Sequence, residues 1–129
     1  MNVLIIDDSS LIRGSLCAFF ESIGFNHYEA ENGKEALDLV AKIEQWELIL
    51  VDWNMPVMDG LEFVKCIRKV RKYDSVKLIM VSGENKISYI EEAMVAGSDG
   101  FIMKPFGSTV LEEKLSILGI EIEKNSMNL

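Results

Sequence analysis

"LILVDWNMPVMDG", residues 48–60, is the stretch that decides the fold. Leu48 to Val51 are four apolar residues in a row, the pattern of a strand covered on both faces. A carboxylate, Asp52, stands where the strand stops. Trp53, Asn54, Met55 and Pro56 break the pattern, and Asp59-Gly60 opens the next element. Strands buried on both faces belong to parallel sheets sandwiched between helices. The charged end of such a strand is therefore where chemistry is to be sought.

The same unit recurs outward from this stretch. Apolar runs at 2–6 (NVLII), 27–30 (HYEA), 47–51 (ELILV), 77–81 (KLIMV) and 100–103 (GFIM) read as strands, the second weaker and nearer an edge. Helical patterns follow each of them, at 11–24, 32–43, 60–72, 87–97 and 108–118. Ser9 or Ser10 can cap the first helix and Gly24 can end it; Asn32, with Glu35 three residues on, caps the second. Strict alternation of five strands and five helices predicts an α/β, flavodoxin-like, doubly wound parallel sheet of order 2-1-3-4-5. One domain over 1–129 is expected, with 121–129 as a loose tail.

With 129 residues, of which 49% are hydrophobic and 26% charged, the chain can bury one sizeable core. A net charge of −8 and a pI near 4.6 argue against nucleic acid or an anionic membrane as partner. No apolar run approaches the roughly 18 residues of a membrane span, and the N-terminus lacks the basic segment of a secretory signal. Cys17 and Cys66 lie in apolar helical patterns and read as buried thiols, a disulfide pair being the alternative. A reducing cytoplasm is expected. The seven methionines read as core fillers, "IRKVRK" (67–72) as a solvated helix face, and Trp46 and His27 as packing or loop residues.

In a doubly wound sheet, sites form beyond the carboxyl ends of the strands. Those ends carry Asp7-Asp8, Asp52, Ser82 and Lys104-Pro105. Three carboxylates converging on one cleft repel by roughly a few kcal/mol per close pair at an effective dielectric of about 20. They require a cation. Oxygen donors alone suit Mg²⁺, with Mn²⁺ as an alternative; His27 and the cysteines lie elsewhere, so zinc and iron are not indicated. A divalent cation, an ammonium, a hydroxyl and a spare carboxylate suit a phosphoryl group. No Walker loop or GxGxxG motif is present to hold a nucleotide. The phosphoryl group would come from outside and be attacked by Asp52, giving an aspartyl phosphate.

The motifs IIDD (5–8), LVDWNMPVMDG (50–60), MVSGE (80–84) and MKPF (103–106) resemble those of receiver domains of two-component response regulators. Within that family the chain is most similar to the stand-alone chemotaxis regulators, through DWNMP, MDGLE, KPF and LEEKL. The resemblance implies that Asp52 is the phosphoacceptor. It implies that Asp8 binds Mg²⁺ directly, Asp7 through water, and Asn54 through its backbone carbonyl. Ser82 would hydrogen-bond the phosphoryl oxygen, Lys104 would pair with it, Pro105 would shape the loop, and Gly83 would leave room. Asn54 and Glu84 would tune hydrolysis. Phe101 stands where the family often has a switch tyrosine, and Ser82 where a threonine is common. The output face would comprise Phe101, Lys86, Ile90, Met103 and Lys114.

A histidine kinase would be the phosphodonor and a flagellar motor switch or other effector the output partner, with the protein acting as a cytoplasmic monomer. It would be a signalling protein with self-catalysed phosphotransfer and dephosphorylation, not a conventional enzyme. Two alternatives stand beside this. One is the receiver of a larger transcriptional or enzymatic regulator; the start at Met1 and the short run past the last helix favour a stand-alone protein. The other is an Asp-nucleophile phosphatase, disfavoured because Asn54 stands where that class has a second aspartate.

Overall fold

A computed structural model describes residues 1–84 and 86–122. Its strands are β1 (Asn2–Ile6), β2 (Asn26–Ala30), β3 (Leu48–Asp52), β4 (Lys77–Ser82) and β5 (Gly100–Met103). Its helices are α1 (Ser10–Ser22), α2 (Gly33–Val40), α3 (Gly60–Arg68), α4 (Ile87–Ala96) and α5 (Ser108–Ile117). The strands form one parallel sheet in the order β2-β1-β3-β4-β5, the flavodoxin-like arrangement expected from the alternation.

Strand periodicity divides the core in two. Leu4, Ile6, Ile49, Val51, Leu78, Met80 and Phe101 face α2, α3 and α4. Their sequence neighbours Val3, Ile5, Leu48, Leu50, Ile79, Val81 and Ile102 face α1 and α5. Side chains alternate along a strand, so an unbroken apolar run supplies both layers at once. The edge strand β2 is the exception; only Ala30 in it is fully buried.

Local signals set most of the boundaries. The Ser9 hydroxyl accepts from Ile12 N–H, the Asn32 side chain from Glu35 N–H, and the Asp59 carboxylate from Glu62 N–H. Glu35 reaches back to the Glu31 N–H at 3.2 Å, one residue before the cap. Gly24 (φ +89°) follows α1 and Gly97 (φ +119°) follows α4, both in the left-handed region.

Two helices stop short of their periodic pattern. The helix expected over 32–43 ends at Val40: Lys42 N–H tightens onto the Leu39 carbonyl, and the chain turns so that Trp46 Nε1–H reaches the Val40 carbonyl at 3.2 Å. The one expected over 60–72 ends at Arg68, followed by a 3-10 turn at Arg71–Tyr73. Arg68 explains that ending. Its guanidinium donates to the carbonyls of Gly97 (2.9 Å), Tyr73 (2.8 Å) and Val76 (2.8 Å), and pairs with Asp99 at 2.9 Å. It is a clasp rather than part of a solvated face.

Cys17 is buried and Cys66 half-buried, and both are free thiols. Of the methionines, Met80 is fully buried, Met55 and Met58 pack against the core, and Met1, Met94 and Met103 are about half exposed. Residues 123–129 of the expected tail lie outside the described residues, as does Met127.

Candidate functional site

The parallel sheet brings the ends of β1, β3, β4 and β5 to one edge. Asp7 follows β1; its N–H donates to the Ala30 carbonyl at 3.1 Å and its Oδ1 accepts from Ser9 N–H at 2.9 Å. Asp52 is the last residue of β3, and Trp53 N–H donates to the Val81 carbonyl at 2.9 Å, fixing the strand end. Lys104 N–H donates to the Ser82 carbonyl at 2.8 Å, which joins the ends of β4 and β5. The Lys104–Pro105 peptide is cis.

Gly60 allows the approach that seats Asp52. A side chain there would collide with the backbone of Asp52 and Trp53, while the Gly60 N–H donates to the Trp53 carbonyl at 2.9 Å. The loop between them turns at Val57, which holds φ +70° while Met58 N–H bonds the Pro56 carbonyl at 2.8 Å. This is a three-residue turn centred on Val57, in a region that β-branched residues rarely adopt.

The acidic residues converge. Carboxylate oxygens of Asp7, Asp8 and Asp52 lie within 4.8 Å of one another, with Asp7 and Asp52 buried and Asp8 exposed. Lys104 Nζ stands 3.0 Å from Asp7 Oδ2 and 3.1 Å from Asp52 Oδ1. Three carboxylates against one ammonium leave two negative charges unbalanced. Burial first, and Asp7 second, push the Asp52 carboxyl up from 3.8 to about 6, against the pull of Lys104. Burial alone would lower the Lys104 ammonium, but its bonds to Asp7 and Asp52 outweigh this and hold it above its ordinary value.

Ser82 arrives at the same edge fully buried, and its hydroxyl accepts from Glu84 N–H at 3.1 Å. Among the described residues, no hydrogen bond joins it to the carboxylates. Asn54 is exposed and Glu84 half-buried, on the loops after β3 and β4. Trp53, the next residue after Asp52, is buried, its ring 5.0 Å from that of Tyr89.

Residues of the expected output face meet on the far side of β5. Ile90, Phe101, Met103 and Lys114 line one groove with Met94 and Phe106, whereas Lys86 is exposed at the start of α4 outside its lining. Phe101 is 9% exposed and packs inward; Met103 is 48% exposed.

Sequence reasoning missed Arg13 and Arg68, because hydrogen bonds to backbone carbonyls leave no periodic signature. It passed over the left-handed turn at Val57 for the same reason. Gly60 was within reach: an Asp-Gly pair opening a helix directly after a polar strand end marks a close backbone approach.

An oxygen-only cluster with surplus negative charge matches the donor preference of a hard divalent cation. Among the described residues, no helix is long and apolar enough to cross a membrane. The response regulator receiver domain family matches residues 3–116. The chain is 41% identical over 121 residues to a chemotaxis protein CheY homologue of Campylobacter jejuni strain 81-176, covering 92% of this chain and 93% of that protein. It is 37% identical over 116 residues to the chemotaxis protein CheY-3 of Vibrio cholerae, covering 89% and 88%. The solved structure of the chemotaxis protein CheY4 of Vibrio cholerae superposes with a TM-score of 0.85 at 32% identity, covering 91% of this chain and 97% of that one. The chain belongs to the response regulator receiver domain family.

Proposed function

We propose that the chain works as a single receiver module, residues 1–129, which accepts a phosphoryl group on Asp52 and signals by binding a partner. The observation that carries this reading is the Lys104 ammonium held between the buried Asp7 and Asp52 carboxylates, at 3.0 and 3.1 Å, in a pocket that still has surplus negative charge. Asp8 and Asp52 would hold Mg²⁺ or Mn²⁺ directly, Asn54 through its backbone carbonyl, and Asp7 through water. When bound, the cation supplies neutralisation of the pocket and of the transferring group.

The chain's own residues do the rest. At neutral pH a carboxyl near 6 is mostly ionised, so Asp52 needs no general base. One of its oxygens forms the new bond to phosphorus as the bond to the donor's leaving atom breaks. With a histidine kinase that atom is an imidazole nitrogen, which keeps the electron pair. Lys104 offsets negative charge on the phosphoryl oxygens, and the Ser82 hydroxyl, once turned from its own loop, can donate to one of them. Asn54 and Glu84, on the loops after β3 and β4, would tune hydrolysis of the acyl phosphate.

Strong acceptor oxygens at this edge would draw Ser82 inward, opening space beside the start of α4. Phe101, with Ile90, Met103 and Lys114 around it and Lys86 at the start of α4, then forms the face that changes. The kinship with chemotaxis proteins points to a cytoplasmic role in chemotaxis, the chain acting as a monomer on a flagellar motor switch or comparable effector.

The reading is tested by intact mass after treatment with acetyl phosphate. One phosphoryl group is expected with Mg²⁺, and none with a chelator or in Asp52→Asn. Labelling that persists in the variant contradicts it. Beryllofluoride, which mimics the phosphoryl group, should raise partner affinity in the wild type and less in Phe101→Ala; equal affinity with and without it rejects the switch.

A further inference from the structure

Within the acidic cluster the residues are held unequally. Asp7 is tied at every polar atom: N–H to Ala30, Oδ1 to Ser9 N–H, Oδ2 to Lys104, and its carbonyl to Arg13 Nη1–H at 2.7 Å. Asp8 is exposed, and among the described residues its side chain makes no hydrogen bond or ion pair. Its placement depends on its backbone. The Asp7 carbonyl and the Asp8 N–Cα bond share one rigid peptide plane, so whatever holds that carbonyl also aims Asp8. Arg13, in the first turns of α1, is the side chain that holds it.

Arg13 is itself held. Its Nε donates to Glu29 Oε1 at 3.0 Å and its Nη2 lies 3.9 Å from Glu31 Oε1, at the end of β2 and just beyond it. The side chain is 11% exposed. The two glutamates occupy the other arms of the guanidinium, which among the described residues forms no ion pair with Asp7, Asp8 or Asp52. A lysine could supply the charge but not a fork that spans a carbonyl and a carboxylate.

We infer that Arg13 is a positioning residue for the cation pocket, aiming Asp8 through the Asp7–Asp8 peptide, with Glu29 as its anchor. The inference rests on the metal-site reading above. It also makes a prediction whose sign separates it from simple electrostatics. Removing a positive charge beside an acidic pocket should tighten cation binding if charge alone mattered; losing the hold on Asp8 should weaken it. Outer-shell partners of metal ligands typically contribute about 10–100-fold in affinity, so a loss of about tenfold is expected.

The experiment is a calorimetric Mg²⁺ titration of the wild type, Arg13→Ala, Arg13→Lys and Glu29→Gln, with thermal melts of each metal-free protein. About tenfold weaker binding is expected in Arg13→Ala, and nearly as much in Arg13→Lys, which keeps the charge and should fold even where the alanine variant does not. A smaller loss is expected in Glu29→Gln. Unchanged or tighter binding in a folded Arg13→Lys or Arg13→Ala overturns the inference while leaving the metal site standing. A wild type that binds no Mg²⁺ overturns both.

Discussion

Asp52 is 6% exposed, shares Lys104 with Asp7, and has a carboxyl pushed from 3.8 up to about 6. A raised carboxyl means that the fold favours the protonated form. That contribution is complete below pH 3.8 and is lost as pH rises through about 6, costing the metal-free protein up to about 3 kcal/mol at pH 8. Asp52→Asn removes the ionisation. It should therefore be more stable than the wild type by about 1–3 kcal/mol in urea at pH 8 without metal, and nearly equal to it at pH 4. A gain that does not depend on pH would show that the charge is not the cause. Val57 carries strain of another kind, a β-branched residue at φ +70° and 76% exposed. Left-handed backbone costs about 1–2 kcal/mol outside glycine, and little burial is lost on removing an exposed valine. After the extra freedom that glycine gains in the unfolded chain, Val57→Gly should stabilise by about 1 kcal/mol in urea or leave stability level. A clear loss would mean that the side chain makes a contact that offsets its strain.

At the scale of elements, α3 and β3 meet through one missing Cβ. Gly60 lies against the backbone of Asp52 and Trp53, which has no flexible end to yield. Gly60→Ala should cost about 3 kcal/mol and disturb the site, because the group displaced is the end of β3. Gly14 gives the opposite case: it lies within α1 with nothing within 4 Å of an added Cβ. Gly14→Ala should raise stability by about 0.5–1 kcal/mol through helix propensity alone. Thermal melts of the two variants check the pair, and equal effects would mean that backbone contact at Gly60 is not what sets its cost. The other end of α3 is set by Arg68, whose bonds to Gly97, Tyr73, Val76 and Asp99 tie the helix to the start of β4 and the turn before β5. One end of the helix thus serves the site, and the other serves the fold.

Across the whole molecule, the sequence was most informative where periodicity and burial coincide. Unbroken runs such as LILV and LIMV announced strands covered on both faces, and the parallel order followed, since only helices could cover them. Polar residues ending four of those runs named Asp7, Asp8, Asp52, Ser82 and Lys104. The structure brings the three carboxylates and Lys104 into one cluster and leaves Ser82 bonded within its own loop. What could not be read was whatever depends on side chains reaching backbone from afar. Arg68 spans 29 residues to Gly97, and no local pattern records such a bond, so periodicity alone carries α3 on to residue 72. Asp8's dependence on Arg13 was hidden likewise, because a carbonyl acceptor looks the same in every sequence. The central claim is that the phosphoryl group sits on one carboxylate, at the end of β3. Reduction of the acetyl phosphate-treated protein with borohydride converts an aspartyl phosphate to homoserine, and peptide mass spectrometry then locates it. The account predicts homoserine at Asp52 alone and only when Mg²⁺ was present; homoserine at Asp7 or Asp8, or none at all from a protein that carries phosphate, would contradict it.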